Sequence, residues 1–470
     1  MHPFERYQQD WSRRTFLKQS FAGLGGLAMS KLMGAESLPF LQSQGGLHLP
    51  AKAKRVVHLC MAGGPSHLES FDPKPVLDTL NGQPFPESFT AGQQLAQLQG
   101  AKLIARGSFT KFRKWGACGT EISELFPHIG SIADDICVVR SMVTEQINHD
   151  PAHAFMNSGS ILKGRPSMGS WLLYGLGAES QDLPGYVVMV SRGVEADQPI
   201  SARQWSAGFL PSKFQGVQFQ SKGSAVHYVG NPDGICQSTQ RQVIDEVRRM
   251  NGLLGEERLD PEIDTRISQY EMAFRMQASV PELTDMRNEP QHVLDMYGVK
   301  QPGDGSFASN CLLARRMLER GVRFVQLYHR GWDHHGGIEK KMPATALLTD
   351  QASAALVKDL KQRGMLEDTL VIWGGEFGRT PMGQGTGRDH HIRAFSIWMA
   401  GAGIRPGIVH GATDDLGYNS EKDIVQVRDL HATMLHQFGI DHARFSTKFQ
   451  GLDYKLTGVK PASVVKGILA

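Results

Sequence analysis

The chain has 470 residues, 40% hydrophobic and 21% charged, which suits one large α/β domain or two ordinary ones and excludes a disordered chain. A formal net charge of +3 gives no basic excess with which to hold nucleic acid or an acidic membrane surface, so nucleic acid is not expected as a partner. The cysteines Cys60, Cys118, Cys137, Cys236 and Cys311 are odd in number and widely spread. With no Cys-x-x-Cys pair they argue against a disulfide framework and a thiolate zinc site, and Cys60 and Cys137 read as small core residues.

In chain order, Ser12-Arg13-Arg14-Thr15-Phe16-Leu17-Lys18 precedes a mildly apolar, glycine-rich stretch over 21–33. This resembles a twin-arginine export signal over residues 1–35, which implies contact with the twin-arginine translocase and a periplasmic or extracellular destination. Lys18 and Lys31 bound an apolar run too short for a stable transmembrane segment.

Residues 55–61 read as a first core strand running into the turn Gly63-Gly64-Pro65-Ser66-His67, with His67, Glu69 and Asp72 delivered to its mouth either as turn caps or for function. Residues 81–114 read as a polar surface excursion and 121–129 as a helix. A second buried strand over 136–139 ends in a polar loop that carries Arg140, His149, Asp150 and His153, and a helical pattern continues to Ser158-Gly159. Another strand is expected over 186–190. A loop-rich insertion fills about 193–300 and includes polar helices over 238–254 and 261–277, with a further helix over 310–320.

The strand over 322–328 leads into Gly331-Trp332-Asp333-His334-His335-Gly336, a glycine-flanked loop with one carboxylate and two imidazoles. In an extended segment Asp333 and His335 project to one side and could ligate a divalent ion, the alternative being a hydrogen-bonded turn. A helix is predicted from Pro343 to Gly364, with Leu348, Ala352, Ala355, Leu356 and Leu360 on one face. It feeds a strand over 369–373, giving a strand-helix-strand unit and hence a parallel, right-handed crossover. The loops Gly374-Gly375-Glu376-Phe377-Gly378-Arg379 and Gly387-Arg388-Asp389-His390-His391 follow, then a strand over 395–400 and a helix over 427–438. Arg379 and Arg388 offer forked donors for a sulfate or phosphate, or ordinary pairing.

The motifs Gly63-Gly64-Pro65-Ser66-His67, Phe71-Asp72-Pro73-Lys74-Pro75, Gly331-Trp332-Asp333-x-His335, Gly375-Glu376-Phe377-Gly378-Arg379 and Gly387-Arg388-Asp389-His390 resemble the exported, sulfatase-like domain of unknown function fifteen-oh-one family, itself similar to the alkaline phosphatase and sulfatase superfamily. The resemblance implies a three-layer α/β/α sandwich over residues 50–450, with a mostly parallel central sheet and metal ligands at the strand ends. It implies a divalent metal (zinc, calcium or magnesium) and hydrolysis of a small-molecule or carbohydrate sulfate or phosphate ester. Matched residue by residue, Asp333, His335 and His390 hold one metal, with His334 and His391 as neighbours. For a second metal Glu376 keeps a carboxylate, whereas Gly63 stands where an acid is usual, so Asp72 or His67 would have to substitute.

The nucleophile departs from the pattern, because His149 stands where a hydroxyl is expected. His149 is then a nucleophile, or a ligand to a metal whose hydroxide attacks, or the mark of a site that has lost hydrolysis. The alternative to an enzyme is an exported binding or scaffold protein that keeps the fold and at most one metal.

Overall fold

The computed structural model describes residues 39–194, 198–226, 230–231, 234–258 and 261–470, so the export-signal reading lies outside the described residues. A nine-stranded sheet forms the centre. Its strands are β1 (Arg55–Ala62), β2 (Ile136–Val143), β3 (Tyr186–Ser191), β4 (Val217–Gln218), β5 (Phe324–Arg330), β6 (Thr369–Gly374), β7 (Phe395–Ala400), β8 (Ile408–His410) and β9 (Val425–Gln426). The order across the sheet is β8-β2-β7-β6-β1-β5-β3-β4, with β9 also paired to β2. Only β7 runs antiparallel to its neighbours, β2 and β6. The other ladders are parallel, so β1, β2, β5 and β6 all end on the same side.

Parallel strands need both faces covered, and the side-chain alternation of β1 shows how this is met. Val57, Leu59 and Met61 face helices α5 (Phe307–Glu319) and α6 (Ile338–Gln362), where Leu312, Leu356 and Leu360 pack. Val56, Cys60 and Ala62 face α1 (His149–Ser158), α2 (Met168–Leu176) and α7 (Val427–Gln437), through Phe155, Trp171 and Met434. This is the expected α/β/α sandwich, with α3 (Gln237–Arg258) and α4 (Pro261–Thr284) leading back toward β5. Among the described residues no helix is long and apolar enough to cross a membrane.

Three local expectations change. The segment expected to be helical over 121–129 instead makes a strand, Thr120–Ser123, paired with Phe112–Trp115, and only then one helical turn, Pro127–Gly130. Helix α6 begins at Ile338 rather than at Pro343, which lies inside it; Gly337, with φ 66°, forms the entry turn. The excursion over 81–114 is not merely surface. Phe85, Leu98 and Ala105 join Leu68, Met382 and Tyr418 in a third small core that clasps the hairpin of Gly378–Gln384 and Gly387–His391.

Candidate metal centre

The C-terminal ends of β1, β2, β5 and β6 deliver Gly63, His149, Asp333 and Glu376 to one place, the crevice in which open α/β sheets bind ligands. The Asp333 loop is fixed from below. Trp332 is fully buried, its ring stacks on Phe126 with centroids 6.3 Å apart, and its backbone N–H donates to the carbonyl of Ala62. The hairpin after β6 brings His390 over this loop.

Ligand atoms of His149, Asp333, His335 and His390 all lie within 4.8 Å of one another. Oδ1 of Asp333 is 3.0 Å from His335 Nε2 and 3.3 Å from His390 Nε2, and Oδ2 is 3.1 Å from His149 Nε2. Nδ1 of His390 donates to the carbonyl of Ile147 at 2.7 Å, and Nδ1 of His335 donates to Oε1 of Gln384. In the neutral form both rings therefore present Nε2 lone pairs, and these atoms are only 2.9 Å apart. Lone pairs that close, beside a carboxylate, repel one another unless a cation lies among them. Imidazoles tied at Nδ1 to an oxygen and free at Nε2 are also the usual form of metal-ligating histidine, so these residues fit a divalent ion.

Electrostatics agree with that reading. Burial acts to raise the Asp333 pKa, but contacts from His149, His335 and His390 and the charge of Arg379 outweigh it and hold the carboxyl well below the usual range. Burial lowers the pKa of His390 despite the opposing pull of Asp333, which favours the neutral ring.

Beneath this group lies a second, formed by His149, His153 and Glu376. Nδ1 of His149 donates to Glu376 Oε1 at 2.6 Å, and Nε2 of His153 is 3.4 Å from the same oxygen. The N–H of Gly63 donates to both Glu376 oxygens, at 3.0 and 3.2 Å. Burial lowers the pKa of His149, but its contacts with Asp333 and Glu376 prevail and bring it to about 9. Glu376, fully buried, is raised by burial but brought to about 2 by His153 and His149.

Other candidates fall elsewhere. Asp72 is not in either group; it is buried against Lys74 at 3.1 Å and accepts from Thr413 Oγ1 at 2.5 Å. His67 bonds the carbonyl of Gly417. Arg388 is fully buried, ion-paired to Glu69 and bonded to the carbonyls of Arg106, Gly107 and Thr380. Arg379 is equally enclosed. It donates to the carbonyls of Gly63, Gly64 and Arg388 and, at 2.6 Å, to Asp333 Oδ1, so its donors face the protein.

His153 and Gln384 were given no role by the sequence reading. For His153 the signal was present, since His149 and His153 stand four residues apart and so share a helix face. Nothing local marks Gln384.

Fold and site together define an α/β/α sandwich protein with a candidate cation centre beyond the C-terminal ends of its parallel strands. The chain belongs to the family described as Protein of unknown function (DUF1501), whose pattern matches residues 53–469. No curated protein sequence matches it. Among solved structures it is similar to the PsFucS1 sulfatase from Pseudoalteromonas sp., at 14% identity and a TM-score of 0.33, over 85% of this chain and 69% of that one. It is similar to a protein in the alkaline phosphatase superfamily from Vibrio parahaemolyticus, at 10% identity and a TM-score of 0.34, over 87% of this chain and 71% of the other. The C-terminal periplasmic domain of EcEptC from Escherichia coli, in complex with Zn, is 8% identical with a TM-score of 0.36, over 87% of this chain and 88% of that one. These are likenesses of chain path at low score, and the functional reading rests on the residues of the site.

Proposed function

We propose that this chain is an exported, divalent-metal-dependent hydrolase of sulfate or phosphate esters carried by small molecules or carbohydrates. The observation that supports it most is the pair of Nε2 atoms of His335 and His390, 2.9 Å apart beside Asp333 with both Nδ1 atoms already committed. In this reading Asp333, His335, His390 and Nε2 of His149 hold the ion. A donor set rich in imidazole suits zinc better than calcium or magnesium, which favour oxygen. The ion would act as a Lewis acid on an ester oxygen.

The residues around it have separate tasks. Arg379 orients Asp333 rather than gripping substrate, and Asp72 takes no part. Both ring nitrogens of His149 face carboxylates, which favours a ligand over a nucleophile and leaves attack on sulfur or phosphorus to water. Asp333 and His335 keep 22% and 24% of their side chains exposed, so an ester can reach this group from solvent. Export rests on the Ser12–Lys18 pattern alone.

A non-catalytic binding protein is the second reading, favoured by one observation: His149, which stands where the resemblance expects a hydroxyl nucleophile, has both ring nitrogens turned to carboxylates. Elemental analysis of the purified protein, followed by aryl sulfate and aryl phosphate assays before and after chelation and zinc readdition, separates the two. Bound metal with chelator-sensitive turnover supports the hydrolase. Bound metal without turnover of either ester supports the binding protein, and wild-type metal content in Asp333→Ala removes the centre itself.

A further inference from the structure

Loop tips are ordinarily polar, and two neighbouring tips of this chain are not. The turn after α1 presents Ile161 and Leu162, 46% and 61% exposed. The hairpin of Thr447–Phe449 and Leu452–Tyr454 presents Phe449 and Leu452, 37% and 61% exposed. We propose that these tips form a docking surface for an anionic lipid bilayer, their apolar side chains entering the interface while the flanking cations meet lipid phosphates. Neither a metal nor an ester takes part in this docking, which stands apart from the hydrolase reading.

The two tips make one surface. The Arg165 guanidinium lies over the Tyr454 ring, 4.0 Å from its centroid, and Phe449 stacks on Phe209 with centroids 4.8 Å apart. Phe209 also packs on Tyr454 at 5.1 Å. At the base, a Cβ built on Gly159 would stand 2.4 Å from the carbonyl oxygen of Leu456, so the two segments touch through backbone. These contacts lie below the tips and leave Ile161, Leu162 and Leu452 facing outward.

The local sequence projects the hairpin. Gln450 and Gly451 have φ of 50° and 86°, the two left-handed conformations that a tight two-residue turn requires. Phe449 is registered directly opposite Leu452, so both side chains stand on one face. Single exposed apolar residues are ordinary, whereas a cluster of them rimmed by charge marks an interaction surface.

Charge selects the occupant. Segments 160–165 and 447–455 contain Lys163, Arg165, Lys448 and Lys455 against Asp453 alone, and Asp453 is registered opposite Lys448. The net charge of the whole chain hides this local excess. A second copy of the chain, meeting this surface about a two-fold axis, would set its cations against their own kind. A polyanionic carbohydrate would answer the cations but leave the aliphatic side chains bare. An anionic bilayer satisfies both, because leucine and phenylalanine enter the head-group boundary while lysine stems follow with their ammonium groups at the level of the phosphates. Helix α1 carries His149 at its first residue and is capped by Gly159, about 15 Å along its axis, so the candidate metal centre lies clear of the docking residues.

The test is co-sedimentation of the full-length protein with vesicles of phosphatidylcholine alone or of equal parts phosphatidylglycerol and phosphatidylcholine. Wild type should bind the anionic vesicles and lose them in high salt. The double variant Leu162→Ser/Leu452→Ser should bind about tenfold more weakly, and Lys163→Glu/Lys455→Glu about fivefold or more, with folding checked by circular dichroism. The apolar N-terminal stretch is common to all three proteins, so the difference between them reads the tips. Equal binding by wild type and both folded variants overturns the docking surface, as does no binding by wild type. Retention on dextran sulfate that the variants abolish, without vesicle binding, overturns the lipid in favour of a carbohydrate polyanion. Dimerisation on gel filtration that Leu162→Ser/Leu452→Ser abolishes, again without vesicle binding, overturns it in favour of a second copy.

Discussion

A Cβ built on Gly63 would strike the backbone nitrogen of Asp333 and lie 2.6 Å from the carbonyl carbon of Trp332. The strand end of β1 and the Asp333 loop therefore touch through backbone alone, which is why no acid can stand at position 63. Gly63 also has a φ of 121°, a conformation that side chains rarely adopt. Gly63→Ala should destabilise the fold by about 3 kcal/mol or more and displace Asp333. Thermal unfolding together with bound zinc checks this; wild-type values for both would remove the close-contact argument.

Arg379 is expected to act through Asp333. Lysine cannot reproduce its contacts with four carbonyls and a carboxylate, so Arg379→Lys should weaken zinc binding about 10–100-fold, as losses around metal ligands do. Zinc titration calorimetry reads the effect, and zinc-saturated KM should stay near wild type. A raised KM with unchanged zinc affinity would instead make Arg379 a substrate clamp.

Glu69 and Arg388 form a fully buried ion pair that ties the segment after β1 to the hairpin carrying His390. Glu69→Gln leaves the guanidinium without its counter-charge, and a loss of about 3–5 kcal/mol is expected in urea unfolding. A change under about 1 kcal/mol would show that the carbonyls around Arg388 suffice without the carboxylate.

Acid should destabilise the protein well before carboxylates titrate. Burial lowers the pKa of His58 and His329 to about 3 and of His67 and His431 to about 4. In the unfolded chain these rings protonate near the ordinary histidine value of about 6.5, so between there and about 4 the unfolded state binds more protons. Stability is thus fully present above about pH 6.5 and falls as pH drops, by up to about 1.4 kcal/mol per pH unit for each ring. Unfolding measured from pH 7.5 to 5 in the presence of a chelator isolates this effect from metal release. A flat profile would mean that these rings are not buried neutral.

Several elements were legible because their signal is local. The apolar runs that became β1, β2, β5, β6 and β7 needed only their unbroken hydrophobicity, and the strand-helix-strand unit around α6 then required a parallel crossover. The segment over 121–129 misled because its apolar residues suit either period. Pairing with Phe112–Trp115, eight residues or so upstream, chose the strand, and no local pattern carries that choice. Pro343 misled in another way, since proline often starts a helix but Gly337 had already turned the chain into one.

What the sequence determined by itself was the α/β class, the strand ends that carry polar loops, and Asp333, His335, His390, His149 and Glu376 as the residues to watch. Only the tertiary structure decided which of them meet. It turned Arg388 inward onto Glu69, left Asp72 with Lys74, and placed His149 between two carboxylates with His153 beneath it. The physical reason is that convergence of charge depends on distances between strand ends far apart in sequence, 57 residues for Asp333 and His390 and 227 for His149 and Glu376, fixed by sheet order and register rather than by any local run of residues.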